Sequence, residues 1–185
     1  VPDDIDRRAV KLLLEAARRS LEIGAFHQSI RQATRGLELG LDDSAIERSL
    51  LLVRAEAALE RRETAGSTAD IEAALESALA DRDRADEAVA RRLLGIAAQI
   101  GGDLRTARVE LDRSVELTRE VGDHASLATA LSDRGFVEVF GGSLADADRY
   151  LRDAETLADE LDDRRRLAWI RQHQAWVAFL SGDTD

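Results

Sequence analysis

The chain has 185 residues, 44% of them hydrophobic, which is enough to bury the core of one folded domain and is unlike a disordered segment. Its net charge of −11 argues against a nucleic-acid-binding surface, which needs basic groups to neutralise phosphates. Cysteine is absent, and no apolar run approaches the roughly 18 residues that span a bilayer. We therefore expect a single domain over residues 1–185 that is cytoplasmic and does not enter a membrane.

Aspartate and glycine recur along the chain at a step of forty residues. The aspartates on this step are Asp3, Asp43, Asp83, Asp123 and Asp163. Gly102, Gly142 and Gly182 follow the same step. Because apolar residues between them recur at three- and four-residue intervals, the repeat predicts stacked pairs of helices. Aspartate is expected to cap the first helix of each pair, and glycine to end it in a left-handed conformation.

The repeat divides the chain into four helix pairs and one unpaired helix. The predicted units cover residues 3–42, 43–82, 83–122 and 123–162, with a half-unit at 163–183. The predicted helices are, in chain order, about 3–23, 27–39, 45–61, 69–80, 86–100, 104–121, 125–140, 145–161 and 164–180. The sequence thus predicts an all-α solenoid of nine helices, and we expect it to be part of a longer protein.

The second unit departs from this plan. Arg62 and Glu63 stand where the other units have glycine, and Gly66, Ser67 and Thr68 follow closely. These residue types favour turns, so we expect a longer loop at residues 63–69. It should be the most mobile internal segment.

The small residues of these units resemble the tetratricopeptide repeat (TPR) pattern. The third unit matches it with Gly95, Gly102-Asp103-Leu104, Ala107, Leu111 and Ser114. The fourth matches it with Gly135, Gly142-Ser143-Leu144, Ala147, Leu151 and Ala154. Small side chains are needed where the two helices of a unit cross closely. The resemblance implies a right-handed superhelix that binds partners along its concave side.

Two departures from the TPR pattern bear on the parent protein. The spacing is forty residues rather than about 34. The large aromatic residue early in the first helix of each unit is also missing. Longer repeats of this kind resemble those of bacterial multidomain signalling and transcription regulators, both LuxR-type proteins and cyclase-linked ATPases. The resemblance therefore implies a module of a larger bacterial regulator.

The sequence offers little enzymatic chemistry. His27, His124 and His173 lie in different units, without the spacing of a zinc site. The paired glycines lack the Lys and Ser/Thr of a nucleotide-binding loop. The run Arg164–Arg166 fits a charge-paired helix start or an anion site. We expect a protein without catalytic, cofactor or metal sites.

Aromatic residues are concentrated in the C-terminal third of the chain. Only Phe26 comes before residue 135. In the TPR family, positions nine, twelve and thirteen of the first helix face the concave groove. The candidate groove and interaction residues are Ile96, Gln99, Phe136, Val139, Phe140, Trp169, His173, Trp176, Phe179 and Leu180. Aromatic anchors are typical of binding hot spots. The alternative is that those of the last helix are core residues whose partner helix is missing from the sequence.

Two functions remain open at this point. The first is a protein- or peptide-binding scaffold, in which the groove grips an extended or helical ligand or a neighbouring domain. The second is a ligand-sensing arm that binds a small molecule or controls a neighbouring ATPase, cyclase or DNA-binding domain. A scaffold should show side-chain pockets along several units, whereas a sensor should show one enclosed pocket. The apolar last helix also predicts a homodimer or a partner contact.

Overall fold

The computed structural model describes residues 2–182, with side chains from residue 5 onward, and every regular element in that range is an α-helix. The helices are α1 (Pro2–Glu22), α2 (Phe26–Glu38), α3 (Ser44–Glu60), α4 (Thr64–Asp81), α5 (Arg84–Ile100), α6 (Leu104–Val121), α7 (His124–Gly141), α8 (Leu144–Glu160) and α9 (Arg164–Ser181). The four predicted pairs and the ninth helix are confirmed within the described residues.

The predicted caps of the odd-numbered helices are present. The carboxylates of Asp43, Asp83, Asp123 and Asp163 each accept a backbone N–H three residues later, at 2.9 to 3.2 Å. Each bond satisfies one of the amide groups that a helix start leaves without a partner. The side chain of Asp3, the remaining member of the series, lies outside the described residues.

The expected loop at residues 63–69 is wrong. Helix α4 begins at Thr64 and takes in Gly66, Ser67 and Thr68. Ser67 is buried, and its hydroxyl donates to the backbone oxygens of Glu63 and Thr64. The turn is short because Arg62 adopts the left-handed conformation, with φ of 60°, that glycine adopts in the other units. The second unit therefore has the same architecture as the third, and no mobile loop separates its helices.

The odd-numbered helices form the inner layer of the solenoid. Each helix packs on the next along the chain, and α1, α3, α5, α7 and α9 also contact one another in order. In the part of the chain that the structure describes, no two even-numbered helices are in contact. This arrangement is the helix-pair stacking of a repeat protein and gives the molecule a concave side lined by odd-numbered helices.

The close crossing predicted within each unit is seen at the small residues. A Cβ atom placed on Gly95 would lie 2.6 Å from Leu111 Cγ and 3.2 Å from the backbone oxygen of Ala107. Gly135 has the same relation to Leu151 and Ala147. Leu111 and Leu151 are fully buried, so the core between the two layers depends on this approach. The fold is an all-α, TPR-like solenoid.

Candidate functional site

The concave side of the solenoid borders an open cavity of about 670 Å³, called here the central cavity. Side chains from all five odd-numbered helices line it. One lining residue from each of these helices, in order from α1 to α9, is Leu21, Glu60, Ile96, Phe136 and Trp169. Because these helices lie side by side, residues spaced about forty apart meet around one space.

The C-terminal end of α1 and the N-terminal end of α9 meet at the edge of this cavity. The Arg165 guanidinium donates a hydrogen bond to the backbone oxygen of Glu22, 143 residues earlier. Glu22 is the last residue of α1, where helical carbonyl groups lack partners within the helix. Both residues line the cavity, so a single polar contact joins the first and last helices around it.

One side of the central cavity is aromatic. Phe136 of α7 and Trp169 and His173 of α9 line it, and we call these three residues the aromatic wall. The rings of Trp169 and His173 are 3.8 Å apart, and Phe136 meets them edge-on at 5.6 and 4.4 Å. Edge-to-face packing of this kind holds the rings in fixed orientations. The wall is thus a rigid apolar surface.

The lining of the central cavity also contains three carboxylates, Glu56, Glu60 and Asp133, called here the acidic cluster. Arg92 of α5 lies between two of them. Its guanidinium is 3.0 Å from Asp133 Oδ2 and 2.5 Å from Glu56 Oε1. Burial alone would lower the pKa of Arg92, but the two carboxylates outweigh it and raise that pKa. Arg92 therefore stays charged and neutralises only part of the cluster.

Glu60 is the carboxylate of the acidic cluster that forms no ion pair with Arg92. Its carboxylate makes no hydrogen bond or ion pair within the described residues. Loss of hydration raises the pKa of Glu60, and the negative charges of Glu56 and Asp133 raise it further. Arg92 and Arg165 act in the opposite direction without cancelling the effect. The cavity thus contains an acid whose charged form is poorly compensated.

His173 has one ring nitrogen that the protein does not use. Its side chain is only 5% exposed, and Nδ1 donates to the backbone oxygen of Trp169 at 2.8 Å. Burial lowers the pKa of His173, so the ring is neutral near neutral pH and Nε2 is a hydrogen-bond acceptor. Among residues 5–182 no fully buried side-chain nitrogen or oxygen lacks a partner. Nε2 forms no bond there, so it keeps some exposure to solvent.

The structure distributes the ten candidate residues over three locations. Five of them line the central cavity: Ile96, Gln99, Phe136, Trp169 and His173. Val139 is buried in the hydrophobic core between α7, α8 and α9 rather than in the groove. It packs inward because residue 139 faces α8 and α9, whereas Phe136 faces the concave side.

The other four candidates are exposed and outside the cavity lining. They are Phe140, Trp176, Phe179 and Leu180, of which Phe179 is 73% exposed. Phe140 packs edge-on against Phe136 at 4.9 Å, and Trp176 lies 5.6 Å from His173. These two rings extend the aromatic wall to the outer surface.

Sequence reasoning missed most of the polar side of the site. Arg92 and Asp133 lie one helical turn before the positions expected to face the groove. Because residues four apart share a helix face, Arg92 could have been found by extending the face back from Ile96. Its pairing with carboxylates of α3 and α7 had no sequence signal, since it joins three units. Phe26 of α2 also lines the cavity, although it was not among the candidate residues.

Two further features were sought in the described part of the chain. No group of three or more His, Asp or Glu side chains is placed to hold a metal ion there. Over the same residues, no helix has the length and apolar character needed to cross a membrane.

Comparison with known proteins supports the fold. No protein-family model matches the chain, and no curated protein matches it either. Among solved structures, the crystal structure of the apo form of RapI is similar, with a TM-score of 0.73 over 88% of this chain. The two sequences are 17% identical, and this chain spans 60% of the length of RapI. RapI is a TPR-like helical repeat protein, so the comparison supports the helical-repeat fold of this chain.

Proposed function

We propose that the chain is a non-catalytic scaffold whose central cavity binds a peptide or an extended protein segment. The observation that carries this proposal is the aromatic wall, which faces a cavity lined by five successive odd-numbered helices. Aromatic anchors held rigidly in a concave site are the groups that dominate binding energy in peptide and protein recognition. The scaffold would be a module of a larger cytoplasmic, bacterial regulator, with a neighbouring domain of that protein as a possible source of the segment.

The test is selection of peptides from a random-sequence phage library on the immobilised protein. Selected peptides are synthesised, and their affinity is measured by fluorescence anisotropy. Trp169→Ala, which removes a cavity residue, should weaken binding about tenfold or more. Val109→Ala is the control, because this exposed apolar residue of α6 lies outside the cavity lining. Equal affinity for both variants would contradict the proposal.

A ligand-sensing arm is the second candidate. It is favoured by the volume of the cavity and by the Arg165 contact that joins its two ends. A space of about 670 Å³ falls within the range of small-molecule sites. Such a ligand should raise the melting temperature of the parent but not of Trp169→Ala. Thermal-shift screening with a metabolite library distinguishes this function from peptide binding.

We also propose that the exposed apolar face of α9 mediates self-association or a partner contact. Trp176, Phe179 and Leu180 are all about half exposed or more. Grouped apolar side chains of this size are uncommon on monomers and tend to become interfaces. Sedimentation equilibrium should show concentration-dependent mass for the parent and a monomer for Phe179→Ala. A parent that stays monomeric at high concentration would eliminate the homodimer.

A further inference from the structure

Helices α5 and α9 present the same arrangement of side chains on one face. Each has an alanine, an arginine three residues later and a second small residue four residues after that. These residues are Ala88, Arg91 and Gly95 in α5, and Ala168, Arg171 and Ala175 in α9, eighty residues further along the chain. Residues at these intervals share a helix face. We call the face of α9 that contains Ala168, Arg171, Ala175 and Phe179 the docking face.

In α5 the corresponding face is covered by α6. Arg91 forms an ion pair with Glu110 of α6 at 2.9 Å. Leu111 of α6 occupies the space where a side chain on Gly95 would lie. The backbone oxygen of Ala88 accepts a hydrogen bond from a serine of the same helix. The three residues of this face therefore each meet one feature of α6.

In α9 this face is exposed. Ala168 and Ala175 are both exposed, and the Arg171 side chain is 62% exposed, against 24% for Arg91. Phe179, one turn after Ala175, is 73% exposed. The small residues at the position of Ala175 are buried in all four complete units, where they are Ala17, Ala55, Gly95 and Gly135. Among the odd-numbered helices of the described chain, only α9 lacks a covering helix at this position.

We propose that the docking face binds an amphipathic helix of a partner protein that has the apolar face of α6 and runs antiparallel to α9. Its pattern would be that of Ala107, Glu110 and Leu111, a small residue followed three and four positions later by glutamate and leucine. The glutamate would pair with Arg171, and the leucine would pack on Ala175. This inference rests on the proposed contact through α9 and specifies the chemistry of the partner.

The charge of α9 favours such a partner over a second copy of the same helix. Residues 164–181 contain four arginines and no Asp or Glu. Two copies of α9 packed on each other would bring like charges together and offer Arg171 no carboxylate, which is unfavourable. Only one Arg171 nitrogen bonds within the described residues, to Glu155 at 3.0 Å. The guanidinium therefore has donors left for a second carboxylate.

The experiment titrates the ¹⁵N-labelled protein with a synthetic peptide of residues 103–121, which is α6 with Asp103 as its N-terminal cap. Amide shifts in the NMR spectrum locate the binding site and detect weak binding. The peptide should shift amides of α9 in the parent. Ala175→Leu should weaken binding about tenfold or more, because the added side chain blocks the close approach of the two helices.

Ala73→Leu is the matched control, because Ala73 is an exposed alanine in the interior of α4. It should bind the peptide as the parent does. Both alanines are exposed, so both variants are expected to fold, which their NMR spectra check. A merely adhesive apolar surface would bind the peptide equally or better after Ala175→Leu, since leucine enlarges the apolar area.

A second measurement tests the predicted ion pair. Replacing Glu110 of the peptide by Gln should weaken binding to the parent about threefold, the effect of an exposed pair. The same peptide should lose nothing further on Arg171→Gln, because the partner of the glutamate is already gone. Glu116, an exposed residue of α6, gives the control peptide Glu116→Gln, which should bind the parent unchanged.

Three results would overturn the inference and differ in meaning. Binding that survives Ala175→Leu, or that shifts amides outside α9, would show that the docking face does not receive this helix. No peptide binding by a parent whose dimer is lost in Phe179→Ala would assign the face to a second copy and leave the proposed α9 contact intact. No binding by a strictly monomeric parent would overturn both proposals for α9. The cavity proposals depend on Trp169→Ala and are unaffected by any of these results.

Discussion

Arg48 and Arg92 are both nearly buried arginines that join neighbouring units, but their surroundings differ. Arg48 bonds Asp81, Asp83 and Asp86 at 2.8, 2.9 and 2.7 Å, and lies outside the cavity lining. Arg92 bonds two carboxylates and lines the cavity, where Glu60 adds a third. The first cluster uses every arginine nitrogen to hold α3, α4 and α5 together. The second opens onto the central cavity, so we assign a structural role to the first and propose a binding role for the second.

The largest effect should come from removing the arginine of the structural cluster. Arg48 is 2% exposed, and Arg48→Met leaves three aspartates close together without a cation. We expect a loss of about 3 kcal/mol in the free energy of unfolding, because breaking a buried ion pair strands its partners. Urea unfolding measures it. Arg105→Met, at an exposed arginine without a side-chain bond among the described residues, should change stability by less than about 0.5 kcal/mol.

Removal of Arg92 should cost less, because the stranded carboxylates open onto a cavity that water can enter. We expect Arg92→Met to lose about 2 kcal/mol at neutral pH. The free energies of unfolding of the variant and its parent should also converge as pH falls. They should do so at a higher pH than for Arg48→Met and its parent. Arg92 lowers the pKa of Glu60, so without it that pKa should rise further, and part of the cost is relieved as Glu60 protonates.

The stabilising contribution of Arg48 should persist to lower pH than that of Arg92. It lowers the pKa of Asp81, so its contribution is present above the unfolded value of the aspartate and is lost only as pH falls below about 4. Urea titrations between neutral pH and about pH 4 therefore separate the two clusters. Parallel pH profiles for the two methionine variants would show that the clusters are equivalent and would remove the basis of the comparison.

The sequence predicted the fold well because its signals are local. Asp83 and Asp123 cap helices within three residues, and Gly95 admits its neighbouring helix by lacking a side chain. The turn at Arg62 was missed because arginine carries no signal for the left-handed conformation that it adopts there. Five of the ten candidate residues line the cavity and so were found from the sequence. Arg92 and its carboxylates were not, because their meeting depends on how three units stack.

A third, smaller effect tests whether the two regions carry the same backbone strain. Arg82 lies between Asp81 and Asp83 of the structural cluster, and Arg62 lines the cavity, with φ values of 56° and 60°. A residue with a Cβ atom pays roughly 1–2 kcal/mol in this conformation, which glycine avoids. Arg82→Gly and Arg62→Gly should each stabilise the protein by about 1 kcal/mol, after the greater freedom of glycine when unfolded is allowed for.

Differential scanning calorimetry gives both values, and peptide affinity then distinguishes the sites. Only Arg62→Gly removes a charge from the cavity lining, so only this variant should change ligand binding. A loss of stability in either variant would mean that the arginine side chain makes a contact worth more than the strain.

The smallest effect concerns Glu60, the carboxylate that separates the binding cluster from the structural one. Its pKa is raised above the ordinary value of 4.5, chiefly by loss of hydration, so the folded state binds its proton more tightly than the unfolded chain does. The charged group therefore costs stability above the folded pKa, and the cost disappears below the unfolded value. Glu60→Gln should stabilise the protein by a few tenths of a kcal/mol near pH 7, since the side chain is partly exposed to solvent. That gain should shrink as pH falls toward about 4, whereas Glu72→Gln should show no such trend. If Glu60→Gln were destabilising at neutral pH, Glu60 would have a partner within the protein, and the distinction between the two clusters would fail.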